Sequence, residues 1–242
     1  PQTVKIYTDS NTSVDIEVSE CNKWYTYVLP KDKGLCKIEG DSVKKVVVKA
    51  NISYKPNFSP PFYYGKIIPT STVEASFKGS KLNITDIKGM FQRCRNLTSL
   101  DVSSFDTSNV TDMDNMFQWC TILTSLDVSN FNTSNVTSMV SMFGGCSGLT
   151  SLDLRNFNTS NVTYMGSMFY GCSSLTSLNV SRWNTSNVTN MGNMFGGCSG
   201  LTSLDLSGWD TSKVGFMNNM FSHCSSLKSI NLSNFNAPKL TD

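Results

Sequence analysis

The apolar positions of this chain fall on a fixed step of 26 residues. Phe91, Phe117, Phe143, Phe169, Phe195 and Phe221 form one column, and Cys94, Cys120, Cys146, Cys172, Cys198 and Cys224 another. All eleven methionines lie in two further columns, Met113 to Met217 and Met90 to Met220. Leucine does the same from Leu97 to Leu227 and from Leu100 to Ile230. Apolar residues locked to a period of this size predict stacked repeats, because one coil cannot bury its own apolar face and needs its neighbours to cover it.

Within one copy, "LTSLDVSNF" spaces Leu123, Leu126, Val128 and Phe131 as L-x-x-L-x-L-x-x-F. The alternation around Ser125–Val128 predicts a short strand with leucine inside and Ser125 and Asp127 outside. Such strands are expected near residues 98–103, 124–129, 150–155, 176–181 and 202–207. "NTSN" follows as a turn-forming cluster. Val136, Met139, Met142, Phe143 and Cys146 then stand at i, i+3, i+6, i+7 and i+10, the stripe of a short helix of about a turn and a half. The pair Val136–Thr137 leaves room for a second short strand before it, and Gly144, Gly145 and Gly148 end the stripe. Strand on one side and helix on the other predict an α/β repeat, a right-handed leucine-rich-repeat solenoid over residues 71–242.

Residues 1–70 lack the repeat. "TVKIYTD", "SVDIEVSE", "KWYTYVL" and "SVKKVVVKANISY" read as strands, which predicts a small β-rich N-terminal cap with the proline-rich "KPNFSPPFYYG" as its hinge. Charge divides in the same way. Residues 1–96 hold 15 basic against 9 acidic residues, a net +6, and residues 97–242 hold 5 against 9, a net −4, within an overall +2. This division reads first as two differently composed domains, and after that it fits end-to-end contacts better than nucleic acid, which calls for a basic stripe with exposed aromatics. No run of 18 apolar residues occurs, so no direct membrane insertion is expected. The start at Pro1 and a last coil that begins without reaching its Met, Phe and Cys suggest a processed or excerpted piece.

"LTSLDVSNFNTSNVTSMVSMFGGCSG" resembles the 26-residue repeat of the BspA-like leucine-rich-repeat surface proteins, over about residues 81–242 and with the MF-x-x-C-x-x-L-x-x-L core intact in each full copy. The resemblance implies a secreted or surface-displayed solenoid used in attachment, hence an extracellular location, and it names no catalytic residue. In an extracellular protein of this kind Cys21 and Cys36, which lie outside the repeat, are expected to form a disulfide, contributing roughly 3 kcal/mol in the chain-entropy model.

The repeated cysteines match no zinc spacing and share their stripe with Met and Phe, so they read as small buried groups. The methionines read as core for the same reason. Outward on the strands, Asp101, Asp127 and Asp153 are consecutive carboxylates about 4.8 Å apart, the oxygen-only donor set of a cation such as calcium. The plainer reading has each aspartate bonding nearby hydroxyls and backbone, and Asn179 and Asn231 interrupt the ladder in its favour. Of the many sequons, the loop positions Asn132, Asn158 and Asn184 are the glycan sites to expect if the source is eukaryotic.

No hydrolase, zinc-protease or phosphate-loop motif occurs and His223 is the one histidine, so no enzyme and no cofactor are expected. The first functional reading is an adhesin contacting a host or neighbouring-cell protein or glycan. Its specificity would lie where copies differ: Trp119, Arg155, Tyr164, Tyr170, Arg182, Phe216 and His223, since aromatics and arginine anchor recognition surfaces. The alternative is a filament or surface-layer subunit, its copies joined end to end through an open C-terminal coil carrying Leu227, Ile230, Leu232, Phe235 and Leu240. A third reading, crystal-surface binding through Thr98, Thr124, Thr150, Thr176 and Thr202, ranks below both.

Overall fold

The backbone turns more often than the apolar stripe implies. The computed structural model describes residues 74–77 and 87–241, and before and between them the strand backbones β1 (Thr3–Thr8), β2 (Ser13–Glu17), β3 (Val43–Val48), β4 (Ile52–Tyr54) and β6 (Leu82–Ile84). The remaining strands are β5 (Glu74–Ser76), β7 (Ser99–Asp101), β8 (Phe105–Asp106), β9 (Ser203–Asp205) and β10 (Ser229–Asn231). Cys21, Cys36, the segment "KWYTYVL" and the proline-rich stretch lie outside the described residues.

One five-stranded sheet, ordered β2-β1-β3-β5-β7, runs from the front segment into the first repeats. β1 is antiparallel to β2 and β3, with Val4 opposite both Ile16 and Val48. β3, β5 and β7 then pair in parallel, Ala75 standing between Val46 and Leu100. A second row, β4-β6-β8, is parallel throughout.

From there the 26-residue copies lie on one another in register. Parallel bridges join Asp112 to Ser138, Ser138 to Tyr164, Tyr164 to Asn190 and Asn190 to Phe216. This ladder lies one residue beyond the Val136–Thr137 pair, at Ser138. On the leucine side, among the described residues, 99–101 with 74–76 and 203–205 with 229–231 form ladders. The strands expected near 124–129, 150–155 and 176–181 form none. Their alternation survives without it: Leu126, Leu152 and Leu178 are buried, and Ser125, Asp127, Ser151 and Asp153 are exposed. Packing produces the alternation there, and packing alone does not call for cross-coil hydrogen bonds.

The expected helix at 136–146 is a run of tight turns, and the described residues contain no α-helix. Alternate N–H groups point two ways. Met142, Gly144 and Cys146 bond back three residues, to Met139, Ser141 and Phe143 at 3.3, 3.0 and 3.1 Å. Met139, Ser141, Phe143 and Gly145 instead donate to the next coil, to the carbonyls of Tyr164, Gly166, Met168 and Tyr170. A helix over 136–146 would take all of these donors but Met139 for i→i−4 bonds. The run also passes through the left-handed region at Ser141 (φ 54°) and Gly145 (φ 75°), which a helix forbids. At Gly145 no side chain fits, since an added Cβ would lie 2.4 Å from the Trp119 ring.

The interior follows from this register. The phenylalanines from Phe91 to Phe221 stack at centroid spacings of 5.6–5.9 Å, nearly parallel. A second aromatic stack contains Phe157, Trp183 and Trp209, spaced 6.4 and 6.3 Å. Buried threonines tie coil to coil: Thr133 donates to the Asn158 carbonyl at 3.0 Å and accepts the Asn158 N–H at 2.8 Å. Thr107, Thr133 and Thr185 each satisfy a backbone pair that burial would otherwise leave unbonded.

Phe169 lies fully buried between two stacked rings. Phe169→Ala is expected to cost about 3–5 kcal/mol by cavity formation, read as a lowered urea midpoint. Phe169→Asp, which buries an unpaired charge, is expected to unfold that coil and its neighbours in far-UV circular dichroism. Unchanged midpoints for both would remove this column from the core.

Candidate functional site: the outward residues that differ between copies

Tyr164 and Phe216 are brought together. Both lie on the bridged ladder, two rungs apart with Asn190 between them, and both are half exposed, at 50% and 51%. The other rungs carry Asp112 and Ser138. Beside the ladder run Gly166 and Gly192, both buried under asparagine amides: a Cβ on Gly166 would come within 3.2 Å of Asn190 Oδ1, and one on Gly192 within 2.7 Å of Asn218 Oδ1. Asn190 Oδ1 accepts the Gly192 N–H at 3.0 Å, which fixes the amide's orientation.

The other candidates are dispersed. Trp119 and His223 occupy one column with Gly145, Gly171 and Gly197 between them, a position where every copy from Trp119 to His223 has φ between 58° and 76°. Trp119 is half-buried, fills the space over Gly145 and lies under the Arg95 guanidinium, 5.9 Å from its ring centroid. Tyr170 is exposed and lies against Gly196, away from the ladder. Arg155 and Arg182 are exposed on successive coils at the end of the leucine-side strand segment.

That segment borders an open groove of about 390 Å³ lined by Thr98, Ser99, Leu100, Ser125, Leu126, Asp127, Ser151 and Asp153. The expected cation site is not assembled there. Among the described residues no group of three or more His, Cys, Asp or Glu side chains is placed to hold a metal ion. Each carboxylate is engaged by its own turn instead. Asp101 accepts from Ser103, Asp127 from the Ser129 N–H at 2.9 Å, and Asp153 from the Arg155 backbone and guanidinium, the latter at 2.7 Å. These bonds hold Asp127 below the usual carboxylate range and bring Asp153 down to about 2. Asn132, Asn158 and Asn184 are exposed, and the Oδ1 of each accepts from the serine two residues on.

Two further groups matter to the electrostatics. Lys88 Nζ reaches Asp112 at 3.2 Å and Asp114 at 3.5 Å, while Asp114 Oδ1 accepts from Ser138 Oγ and the Val140 N–H. Burial above all raises the Asp114 pKa. The Ser138 hydrogen bond opposes that rise, Asp112 adds to it, and Val140 and Lys88 work against it. The step-26 pattern hides this cluster, since Lys88, Asp112 and Asp114 are departures from their columns. The cysteines are core, as their stripe suggested: Cys146 is fully buried and its thiol donates to the Phe117 carbonyl at 3.0 Å. Burial pushes Cys146 and Cys198 up to about 12.

The geometry defines a repeat protein: interior columns of one apolar type or of close apolar substitutes, cross-coil backbone bonds, and polar-to-aromatic variation on the outside. The family described as Mycoplasma protein of unknown function, DUF285, matches residues 77–152 and again 148–242, and the chain belongs to that family. No curated protein matches it.

Two outcomes are expected. Iodoacetamide should leave Cys120, Cys146, Cys172 and Cys198 unlabelled in the native protein at mildly alkaline pH and label them in guanidinium, because the reactive thiolate is suppressed by burial. Native labelling of Cys146 at the rate of a free thiol would contradict its place in the core. For Asp114, a folded pKa above the unfolded value means that ionisation opposes folding at neutral pH, a cost relieved as pH falls through the folded pKa towards the unfolded one. The urea midpoint of the natural protein should therefore gain on that of Asp114→Asn between about pH 7 and about pH 4. A difference that stays flat or moves the other way would refute the shift.

Proposed function

We propose that the chain is a BspA-like leucine-rich-repeat surface protein: a non-enzymatic, right-handed solenoid, carried outside the cell, that attaches to a ligand presented on a host or neighbouring cell. The observation that carries this reading is the contrast between inside and outside. Phe117, Phe143, Phe169 and their cysteines are fully buried and invariant from copy to copy, whereas Tyr164 and Phe216 place large half-exposed rings where the other copies have Asp112, Ser138 and Asn190. Exposed aromatics do not stabilise a soluble surface, and they are the usual anchors of an interface. The family match over two tandem segments supports the repeat part of the reading.

Beads coated with the protein should adhere to target cells, and the double variant Tyr164→Ala, Phe216→Ala should lose most of that adhesion while keeping its circular dichroism and urea midpoint. A double variant adhering like the natural protein would sink the reading.

A further inference from the structure

We infer that the Tyr164–Asn190–Phe216 ladder is a binding site for an extended β-1,4-linked glycan chain. The inference rests on the recognition reading above and names its ligand class. Two parallel rungs place the Tyr164 and Phe216 positions about 10 Å apart, from ~4.8 Å per rung. In a β-1,4-linked chain of pyranoses each ring is turned over relative to the last, so every second ring presents the same face to the same side. The advance per two rings is close to the two-rung step. Rings n and n+2 therefore fall on Tyr164 and Phe216, where the apolar C–H face of a pyranose packs on an aromatic ring.

Ring n+1 lies over Asn190. That amide is held by its own oxygen, which accepts the Gly192 N–H at 3.0 Å, and its Nδ2 makes no hydrogen bond among the described residues. It is a fixed donor between two apolar platforms, suited to a sugar hydroxyl. Gly166 and Gly192 carry no side chains beside the ladder, and the Asn218 amide lies over Gly192, which keeps this strip low and polar. A few placed polar groups between aromatic walls is the general composition of small-ligand sites. An α-linked chain coils and does not repeat its ring faces at this step, so the arrangement selects for linkage.

The test is calorimetric titration of the whole protein with cellohexaose, cellobiose, chitohexaose and maltohexaose. Cellohexaose or chitohexaose is expected to bind at least about tenfold more tightly than cellobiose, because only the longer chains engage both rings at once. Tyr164→Ala or Phe216→Ala alone should reduce the hexaose to the level of cellobiose, Tyr164→Phe should retain binding, and Asn190→Ala should weaken it. The proposal is overturned if neither β-linked hexaose binds saturably, if maltohexaose binds as well, or if the alanine variants bind unchanged. Adhesion of the coated beads separates the two readings. Loss of adhesion in the double variant without any hexaose binding rejects the glycan and leaves recognition in place, and hexaose binding without an adhesion defect does the reverse.

Discussion

Every coil of this protein leaves alternate backbone N–H groups for its neighbour, and the rest of the structure is arranged around that donation. From Met113 to Trp119 the odd-numbered donors reach the carbonyls of Ser138, Val140, Met142 and Gly144, while the even-numbered ones close tight turns within the coil. The pattern has two costs. The chain must enter the left-handed region twice per copy, at Asn115 and Trp119 and again at Ser141 and Gly145. Each coil must also present its carbonyls at the same step, so the period cannot vary by a residue without unpairing a row of buried groups.

A fixed register places like on like, and each residue type meets that differently. Phenylalanine rings gain from it, since nearly parallel rings at 5.6–5.9 Å pack against one another from coil to coil. Cysteine is small enough for the next position and gives its thiol proton to a carbonyl one coil back. Threonine at 107, 133 and 185 is both donor and acceptor to the following coil. Carboxylates would repel in the same arrangement. Asp127 and Asp153 are instead bonded within their own turns, and Asn179 breaks the row.

The interior was legible from the sequence because burial acts on residue type. The Phe, Cys, Met and Leu columns are where the 26-residue step puts them, buried in register except at Leu100 and in the last coil, where Met217, Phe221, Cys224 and Leu227 are partly buried. The backbone was less legible. Val136, Met139, Met142, Phe143 and Cys146 have the spacing of a helical stripe, yet a run of turns with alternating inward residues produces the same spacing. Only Gly145, at φ 75°, betrays the left-handed positions; Ser141 gives no such signal. The leucine-side alternation overstates the strands because it reports which side faces the core, not which carbonyl a donor meets. Buried Thr133 is hidden in the sequence because a threonine in an "NTSN" cluster looks like a turn residue, and its two cross-coil bonds depend on a neighbour 25 residues away. Of the seven outward residues that differ between copies, two pairs share a column, Tyr164 with Phe216 and Trp119 with His223, since shared columns require positions separated by multiples of 26; of the two, the first lies on the bridged ladder, two rungs apart, and the second is four coils apart.

The same register explains why those two positions are open to function. Trp119 and His223 stand where their column requires a positive φ, a conformation that costs a non-glycine residue on the order of 1–3 kcal/mol unless its surroundings compensate. For Trp119 the compensation is visible: its ring covers Gly145 and lies under Arg95, so it is tied into the fold. Tyr164 and Phe216 carry no such strain, and their contribution to the ladder comes from backbone groups that Ser138 and Asn190 supply equally well. The fold therefore sets no demand on the side chain at these rungs. Two large rings there, half in solvent and two rungs apart, stand where a small polar residue serves the stacking of coils as well, and that freedom is what supports the proposed recognition surface.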